Sequence, residues 1–174
     1  MRPCVAMDFT IRAFSEADAD DIASWRYDAP YDVYDSTEDP SLDGEMRESE
    51  RWGATWFAAD DAETGRLAGF LELVASESET EAGTHVEVEV GLGLRPDLTG
   101  RGIGTSFVET ALAFSRERWQ PGTFALDVFP WNERAIRAYE WAGFERGEVY
   151  VRTFPDGNEV TFLRMSRLAG PSKA

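Results

Sequence analysis

The sequence has few of the residues that build disulfides, metal sites and membrane anchors. Its single cysteine, Cys4, cannot form an internal disulfide or a cysteine-based metal site, and its single histidine, His85, gives metal catalysis little support. No apolar run approaches the roughly 18 to 20 residues that cross a bilayer. Residues 1–8 also lack the apolar stretch of a signal peptide. We therefore expect a cytoplasmic protein that uses no metal.

Cations are scarce as well. There are 33 acidic against 17 basic residues, the net charge is −16, and Lys173 is the only lysine. Proteins that bind nucleic acids or anionic membranes need cations to displace phosphate counterions, so neither partner is expected. The acidic, lysine-poor composition suggests adaptation to concentrated salt, which screens charge repulsion over about 3 Å at 1 M.

Salt adaptation predicts that the free energy of unfolding rises with KCl concentration, because screening removes the self-repulsion of a chain with net charge −16. Denaturant unfolding in millimolar buffer and in molar KCl measures this. Full stability in millimolar buffer, unchanged by molar KCl, would contradict the hypothesis.

Composition and patterning predict one mixed α/β domain. The 174 residues, 43% of them hydrophobic, can bury a continuous core. We predict an N-terminal tail at 1–7, a single domain at 8–168 and a C-terminal tail at 169–174. The expected strands are 8–14, 54–59, 66–74, 85–94, 123–129, 148–153 and 159–166. The expected helices are 15–25, 43–51, 133–142 and one from about 103 to the Pro121-Gly122 stop, and 76–84 is expected to form a polar turn.

The strand His85–Leu94 alternates strictly. Its valines and leucines share one face, and the other face carries Glu87, Glu89, Gly91 and Gly93. Two carboxylates beside a strip without side chains would suit an extended ligand lying close to the backbone. The alternative is a half-exposed strand whose glutamates are simply solvated.

A glycine-rich turn follows, from Gly100 to Thr105, where a strand ends and a helix begins. Backbone N–H groups and the helix dipole converge at such a turn, so it is suited to holding phosphate. It is neither a Walker A loop, which needs Gly-Lys-Ser/Thr, nor a dinucleotide fingerprint, since the third glycine position falls on Phe107. An ordinary glycine-rich helix entry is the competing interpretation.

A third segment has the pattern Asn-x-x-Ala-x-x-x-Tyr-x-x-x-Gly-Phe at Asn132, Ala135, Tyr139, Gly143 and Phe144. About thirty residues earlier lies Leu-Arg-Pro-Asp-Leu-Thr-Gly-Arg-Gly-Ile-Gly, residues 94–104. Together and in this order, the two motifs resemble the GNAT superfamily of acetyl-CoA-dependent N-acetyltransferases. The resemblance extends over residues 8–167.

The resemblance implies a mixed, mostly antiparallel sheet of six to seven strands flanked by helices, with the fourth and fifth strands splayed apart. It implies acetyl-CoA as co-substrate, with pantetheine between these strands and pyrophosphate on the glycine turn. Thr99 departs from the family, which usually has Arg or Gln there. The implied cofactor contacts are Leu92, Gly93, Leu94, Thr99, Gly100, Arg101, Gly102, Ile103, Gly104, Thr105, Asn132, Ala135 and Tyr139.

Direct attack of an amine on the thioester within a ternary complex is the chemistry that the resemblance implies. Glu89 is the first choice for the base and Glu87 the second, while Tyr139 would donate a proton to the departing sulfur. The acceptor would be a primary amine on a small molecule, peptide or protein, held by residues 25–34 and the last hairpin. Many family members dimerise, so a homodimer is one expected state.

Two functions of other classes remain open. A non-catalytic acyl-CoA-binding or sensing module would keep the fold without an acceptor reaction. An α/β interaction domain would hold nothing on its glycine turn.

Overall fold

The computed structural model describes residues 7–38 and 40–170, so Cys4 and most of both predicted tails lie outside the described residues. The strands are β1 (Phe9–Ala13), β2 (Trp56–Asp61), β3 (Leu67–Thr80), β4 (Gly83–Leu94), β5 (Thr123–Val128), β6 (Glu145–Thr153) and β7 (Glu159–Leu168). The helices are α1 (Glu16–Ala23), α2 (Pro40–Met46), α3 (Gly104–Trp119) and α4 (Glu133–Trp141). Short 3₁₀ helices occupy Tyr31–Tyr34, Ser49–Arg51 and Pro96–Leu98.

The strands form one seven-stranded sheet in the order β1-β2-β3-β4-β5-β7-β6. Strand β4 runs parallel to β5, while β1–β2, β2–β3, β5–β7 and β6–β7 are antiparallel pairs. The predicted fold class, a mostly antiparallel sheet flanked by helices, is confirmed.

Two local predictions differ from the structure. Residues 76–84 do not form a polar turn, because β3 continues to Thr80 and β4 begins at Gly83. Gly83 takes a positive φ of 112° in the short connection, and the Thr80 hydroxyl donates a hydrogen bond of 2.7 Å to its carbonyl. The side chains of this hairpin end are exposed on both faces, so the sequence lacks the hydrophobic alternation that marks a strand. The helix predicted at 43–51 is likewise split into α2 and a 3₁₀ turn.

The chain contacts divide the protein into two compact units. The first unit runs to Glu72 and takes in Leu92–Ile103. Its core contains Phe14, Ala19, Ile22, Trp25, Met46, Trp56, Ala58 and Leu67. Helix α1 is tied to β1 by Asp18, whose carboxylate accepts two hydrogen bonds of 2.7 Å from Arg12. Burial opposes the charge on Asp18, but hydrogen bonds from Arg12 and Ser15 hold its pKa below the usual value.

The second unit holds Leu73–Gly91 and the chain from Gly104 onward. Helices α3 and α4 pack against each other. Strands β4, β5 and β7 bury a set of apolar side chains, which includes Val88, Val90, Phe124, Leu126, Val128, Leu163 and Met165. Since side chains alternate along a strand, the residues between them lie on the opposite face. That opposite face carries the charged groups described below.

Candidate functional site

In the first unit, two hydrogen bonds hold the end of β4. The Tyr27 hydroxyl donates a 2.8 Å hydrogen bond to the carbonyl of Leu94. The N–H of Arg95 donates to the carbonyl of Ala68 over 2.8 Å. The sequence placed Tyr27 in an acceptor loop but held no signal for this contact, which joins residues 67 positions apart.

The predicted strip without side chains is partly covered. A Cβ built on Gly93 would lie 2.3 Å from the ring atom Cε1 of Phe70, so that ring takes the space above this glycine. The glycine is required here by the close approach of an aromatic ring. Gly93 therefore stays a predicted cofactor contact through its backbone alone, and Leu92 and Leu94 stay predicted contacts beside it.

The glycine turn has the conformation that its sequence demands. Gly100 and Gly102 take positive φ angles of 72° and 81°, and a Cβ on either would meet open space. Ile103 is buried beside Ala68 and Leu98, which anchors the turn in the first unit. Both glycines are exposed, so their backbones are accessible to a bulky anion.

Two polar side chains flank this turn. The Thr99 hydroxyl donates a 2.8 Å hydrogen bond to the carbonyl of Pro96, so it caps the 3₁₀ helix. Arg101 is exposed. Its neighbour Asp97 is hydrogen-bonded by Arg95 at 2.6 Å, which lowers the pKa of Asp97 against the effect of burial.

In the second unit, α4 positions two of the predicted residues. Asn132 is the N-cap, and its side-chain oxygen accepts a 3.1 Å hydrogen bond from the N–H of Ala135. Tyr139 is 9% exposed and makes an edge contact with Phe144. Gly104, at the start of α3, lies close to α4, since a Cβ there would be 3.4 Å from that of Ala138. Thr105 follows on the first turn of α3.

The two candidate bases lie on the polar face of β4. The side chain of Glu89 is 48% exposed and that of Glu87 is 36% exposed, while Val88 between them is fully buried. The parallel ladder between β4 and β5, in the part of the chain that the structure describes, runs from Glu87↔Thr123 to Glu89↔Ala125. Glu89 thus stands where this ladder ends.

Arg164 on β7 contacts three carboxylates. Its guanidinium lies 3.2 Å from Glu87, 3.6 Å from Glu89 and 3.3 Å from Asp127. The register explains the last contact, because Asp127 pairs directly with Arg164 across β5 and β7. Burial works against the charge on Arg164, but Asp127, Glu89 and Glu87 outweigh it and raise its pKa above the usual value.

Asp127 is the buried member of this group. Its side chain is 9% exposed, and its Oδ2 accepts hydrogen bonds from Tyr150 at 2.6 Å, Arg152 at 2.8 Å and Arg164 at 3.3 Å. Its Oδ1 is buried and has no hydrogen-bond partner among the residues described. Burial, together with the hydrogen bond to Asp127, raises the pKa of the Tyr150 phenol. We call Glu87, Glu89, Asp127, Tyr150, Arg152 and Arg164 the β-face cluster.

Aromatic rings continue the same face. Phe129 stacks on Trp131 with centroids 5.4 Å apart and on Phe162 at 5.5 Å. The guanidinium of Arg152 lies over the Phe162 ring, 5.2 Å from its centroid. Trp131 is 45% exposed, which places it at the rim of the face. These rings form an aromatic row next to the charges.

Four residues of the β-face cluster were not predicted from the sequence: Asp127, Tyr150, Arg152 and Arg164. One signal for Asp127 was present, since it is the single charged residue of β5 and lies between the apolar residues Leu126 and Val128. The partners of Asp127 follow from strand register, which the sequence does not reveal.

Two further findings concern metals and membranes. In residues 7–38 and 40–170, histidine, cysteine, aspartate and glutamate side chains form no group of three or more that could hold a metal ion. Across the same residues, every helix is too short or too polar to span a bilayer.

Comparison with protein families gives one match, in which residues 19–144 fit the model of the acetyltransferase (GNAT) family. Comparison with curated proteins gives no match.

Solved structures of similar fold include acetyltransferases from two bacteria. A GNAT-family acetyltransferase from Bacillus anthracis is 17% identical, with 95% of this chain and 98% of that chain covered and a TM-score of 0.71. A chimera of the spermidine N-acetyltransferase SpeG from Vibrio cholerae and hSSAT is 22% identical, with coverage of 92% and 95% and a TM-score of 0.68. The spermidine/spermine N-acetyltransferase SpeG from Vibrio cholerae is 24% identical, with 92% of both chains covered and a TM-score of 0.60.

Proposed function

Because the chain belongs to the GNAT acetyltransferase family, we propose that it transfers an acetyl group from acetyl-CoA to a primary amine by direct attack. The observation that carries this proposal is the pair of glutamates on the polar face of β4, of which Glu89 is exposed and stands at the end of the β4–β5 ladder. A base at that position answers the main difficulty of the reaction, since a protonated amine cannot attack.

The glycine turn would hold the pyrophosphate of acetyl-CoA. Gly100 and Gly102 leave open space where other residues would carry a Cβ, so backbone N–H groups can approach an anion closely. The family usually has Arg or Gln at the position of Thr99. Arg101 is exposed and would supply a positive charge to the phosphate in its place. The backbone of Leu92–Leu94 would pair with pantetheine, and Asn132 and Ala135 would contribute from the start of α4.

Proton transfers divide between two residues. The acceptor arrives as an ammonium ion, and Glu89 takes one of its protons directly or through water. The nitrogen then attacks the thioester carbonyl carbon, the C–S bond breaks, and the sulfur leaves as a thiolate that takes a proton from the Tyr139 phenol. The second proton of the acceptor nitrogen returns to the phenolate, and Glu89 releases its proton to water. The products are an N-acetylated amine and a free thiol.

The β-face cluster and the aromatic row together favour a cationic alkylamine as the acceptor. The carboxylates of the cluster attract an ammonium group, and the aromatic row favours cations and alkyl chains through cation–π and apolar contact. The guanidinium of Arg152 already lies over Phe162, which is the kind of contact that a substrate cation would make. Two of the structures of similar fold are named as spermidine or spermidine/spermine N-acetyltransferases, which agrees with this choice.

Thiol release from acetyl-CoA in high salt tests the function. With a panel of alkyl diamines, monoamines, neutral aromatic amines and peptides, we expect the highest kcat/KM for cationic alkylamines. Binding of acetyl-CoA without transfer to any amine would favour the non-catalytic module instead. Failure to bind acetyl-CoA at all would point to the interaction domain.

Gly102→Ala tests the phosphate cradle against a matched control. Gly65 has a similar positive φ of 68° and equally open surroundings, but it lies in the β2–β3 turn. Both alanine variants should lose about 1–2 kcal/mol of unfolding free energy from left-handed strain. Only Gly102→Ala should also weaken acetyl-CoA binding. Its Kd should rise about tenfold, because losing one charge-assisted hydrogen bond to the phosphate has about that effect on Kd. Calorimetric Kd values that rise equally in both variants, or in neither, would contradict the cradle.

Glu89→Gln tests the base. We expect kcat/KM to fall about a hundredfold at low and neutral pH and to recover as pH rises, because the free amine then forms without help. Tyr139→Phe should lower kcat across the profile with little change in acetyl-CoA affinity. Glu77→Gln, in the exposed end of β3, is the control for loss of a carboxylate. Turnover of Glu89→Gln equal to that of Glu77→Gln would remove Glu89 from the mechanism.

A further inference from the structure

The two candidate bases, Glu87 and Glu89, differ in how Arg164 contacts them. Its Nη2 donates a hydrogen bond of 3.2 Å to Glu87, whereas its Nη1 lies 3.6 Å from Glu89, beyond hydrogen-bond length. Glu87 is therefore held by a hydrogen bond. Glu89 is the more exposed carboxylate and interacts with Arg164 only through its charge.

Arg164 is itself held from the buried side. Asp127, paired with it across β5 and β7, accepts a 3.3 Å hydrogen bond from Nη1. Tyr150 and Arg152 on β6 bind the same Asp127 oxygen, so the anchor cannot easily rotate away. A guanidinium that is fixed on one side by a buried carboxylate has little freedom to leave Glu87 on the other.

We propose that Arg164 is a positioning residue, which binds Glu87 and thereby leaves Glu89 as the carboxylate that accepts the proton of the acceptor amine. This inference rests on the proposed function for its role in catalysis. The charged and titratable groups that meet on this face are those of the β-face cluster: Glu87 and Glu89 from β4, Asp127 from β5, Tyr150 and Arg152 from β6, and Arg164 from β7. Arg164 is the cation shared by all three carboxylates, so its removal leaves Glu87 and Glu89 facing each other as like charges.

The test is the pH profile of kcat/KM for Arg164→Met, whose acid limb reports the base of the free enzyme. We expect this limb to move to higher pH, because carboxylates that lose a nearby cation hold their protons more tightly. Arg164→Lys, which keeps the charge, should return the limb most of the way to the wild-type position. A second change, Glu87→Gln in the Arg164→Met background, should move the limb back down, because it removes the repelling neighbour.

Arg146→Met is the matched control. Arg146 lies on β6 and is paired with Glu140 at 2.7 Å, so this variant changes the net charge equally without touching the cluster. We expect its profile to match the wild type. Arg164→Gln, which keeps hydrogen-bond donors without the charge, gives the same expected shift if Arg164→Met fails to fold. An acid limb unmoved in a folded neutral variant of Arg164 would overturn the proposal.

Carboxyl ¹³C NMR of the full chain separates this inference from the proposed function. The titration midpoints of Glu87 and Glu89 should rise in Arg164→Met and stay unchanged in Arg146→Met, whether or not acetyl transfer occurs. If the wild type transfers no acetyl group but the midpoints still rise in Arg164→Met, the proposed function is refuted. The interaction of Arg164 with the two glutamates is then still supported. Unchanged midpoints in an active enzyme would refute the inference alone.

Discussion

The period of two along β4, β5 and β7 is the constraint on which the second unit depends. Each of these strands buries one set of side chains, including Val88, Leu126 and Leu163. The residues between them are thereby committed to the other face, and there Glu89, Asp127 and Arg164 meet. A slip of one residue in any of these strands would bury a charge, so the burial of apolar surface also holds the charged groups in register.

Charge on this face is organised around a buried carboxylate. Asp127 gathers three donors on one oxygen, and this would be an expensive arrangement if any of them were lost, since an unpaired buried charge costs several kcal/mol. The result is a pair of ion-paired guanidinium groups, Arg152 and Arg164, next to Glu87, which is partly buried, and Glu89, which is exposed. The glycine turn of the first unit is built differently, from positive-φ backbone anchored by Ile103. The β-face cluster is thus held by side-chain pairing, and the glycine turn by its backbone conformation.

Local patterns allowed the sequence to predict much of this. Strict alternation identified β4, the helix predicted at 133–142 matches α4, and two motifs in order identified the family. The hairpin end of β3 and β4 was missed because its residues are exposed on both faces and carry no alternation. The contacts of Arg164 were missed for another reason, since Glu87 is 77 residues away and only strand register brings the two together. Phe70 over Gly93 depends on tertiary packing in the same way.

The shortage of lysine has a chemical consequence for a protein of this family. Every cation of the β-face cluster is a guanidinium, which stays protonated at any physiological pH and is a poor nucleophile toward thioesters. The chain has a single ε-amino group, at Lys173. The ion pairs of the β-face cluster therefore contain no amine that an acyl thioester could modify, so acylation of lysine cannot erode them.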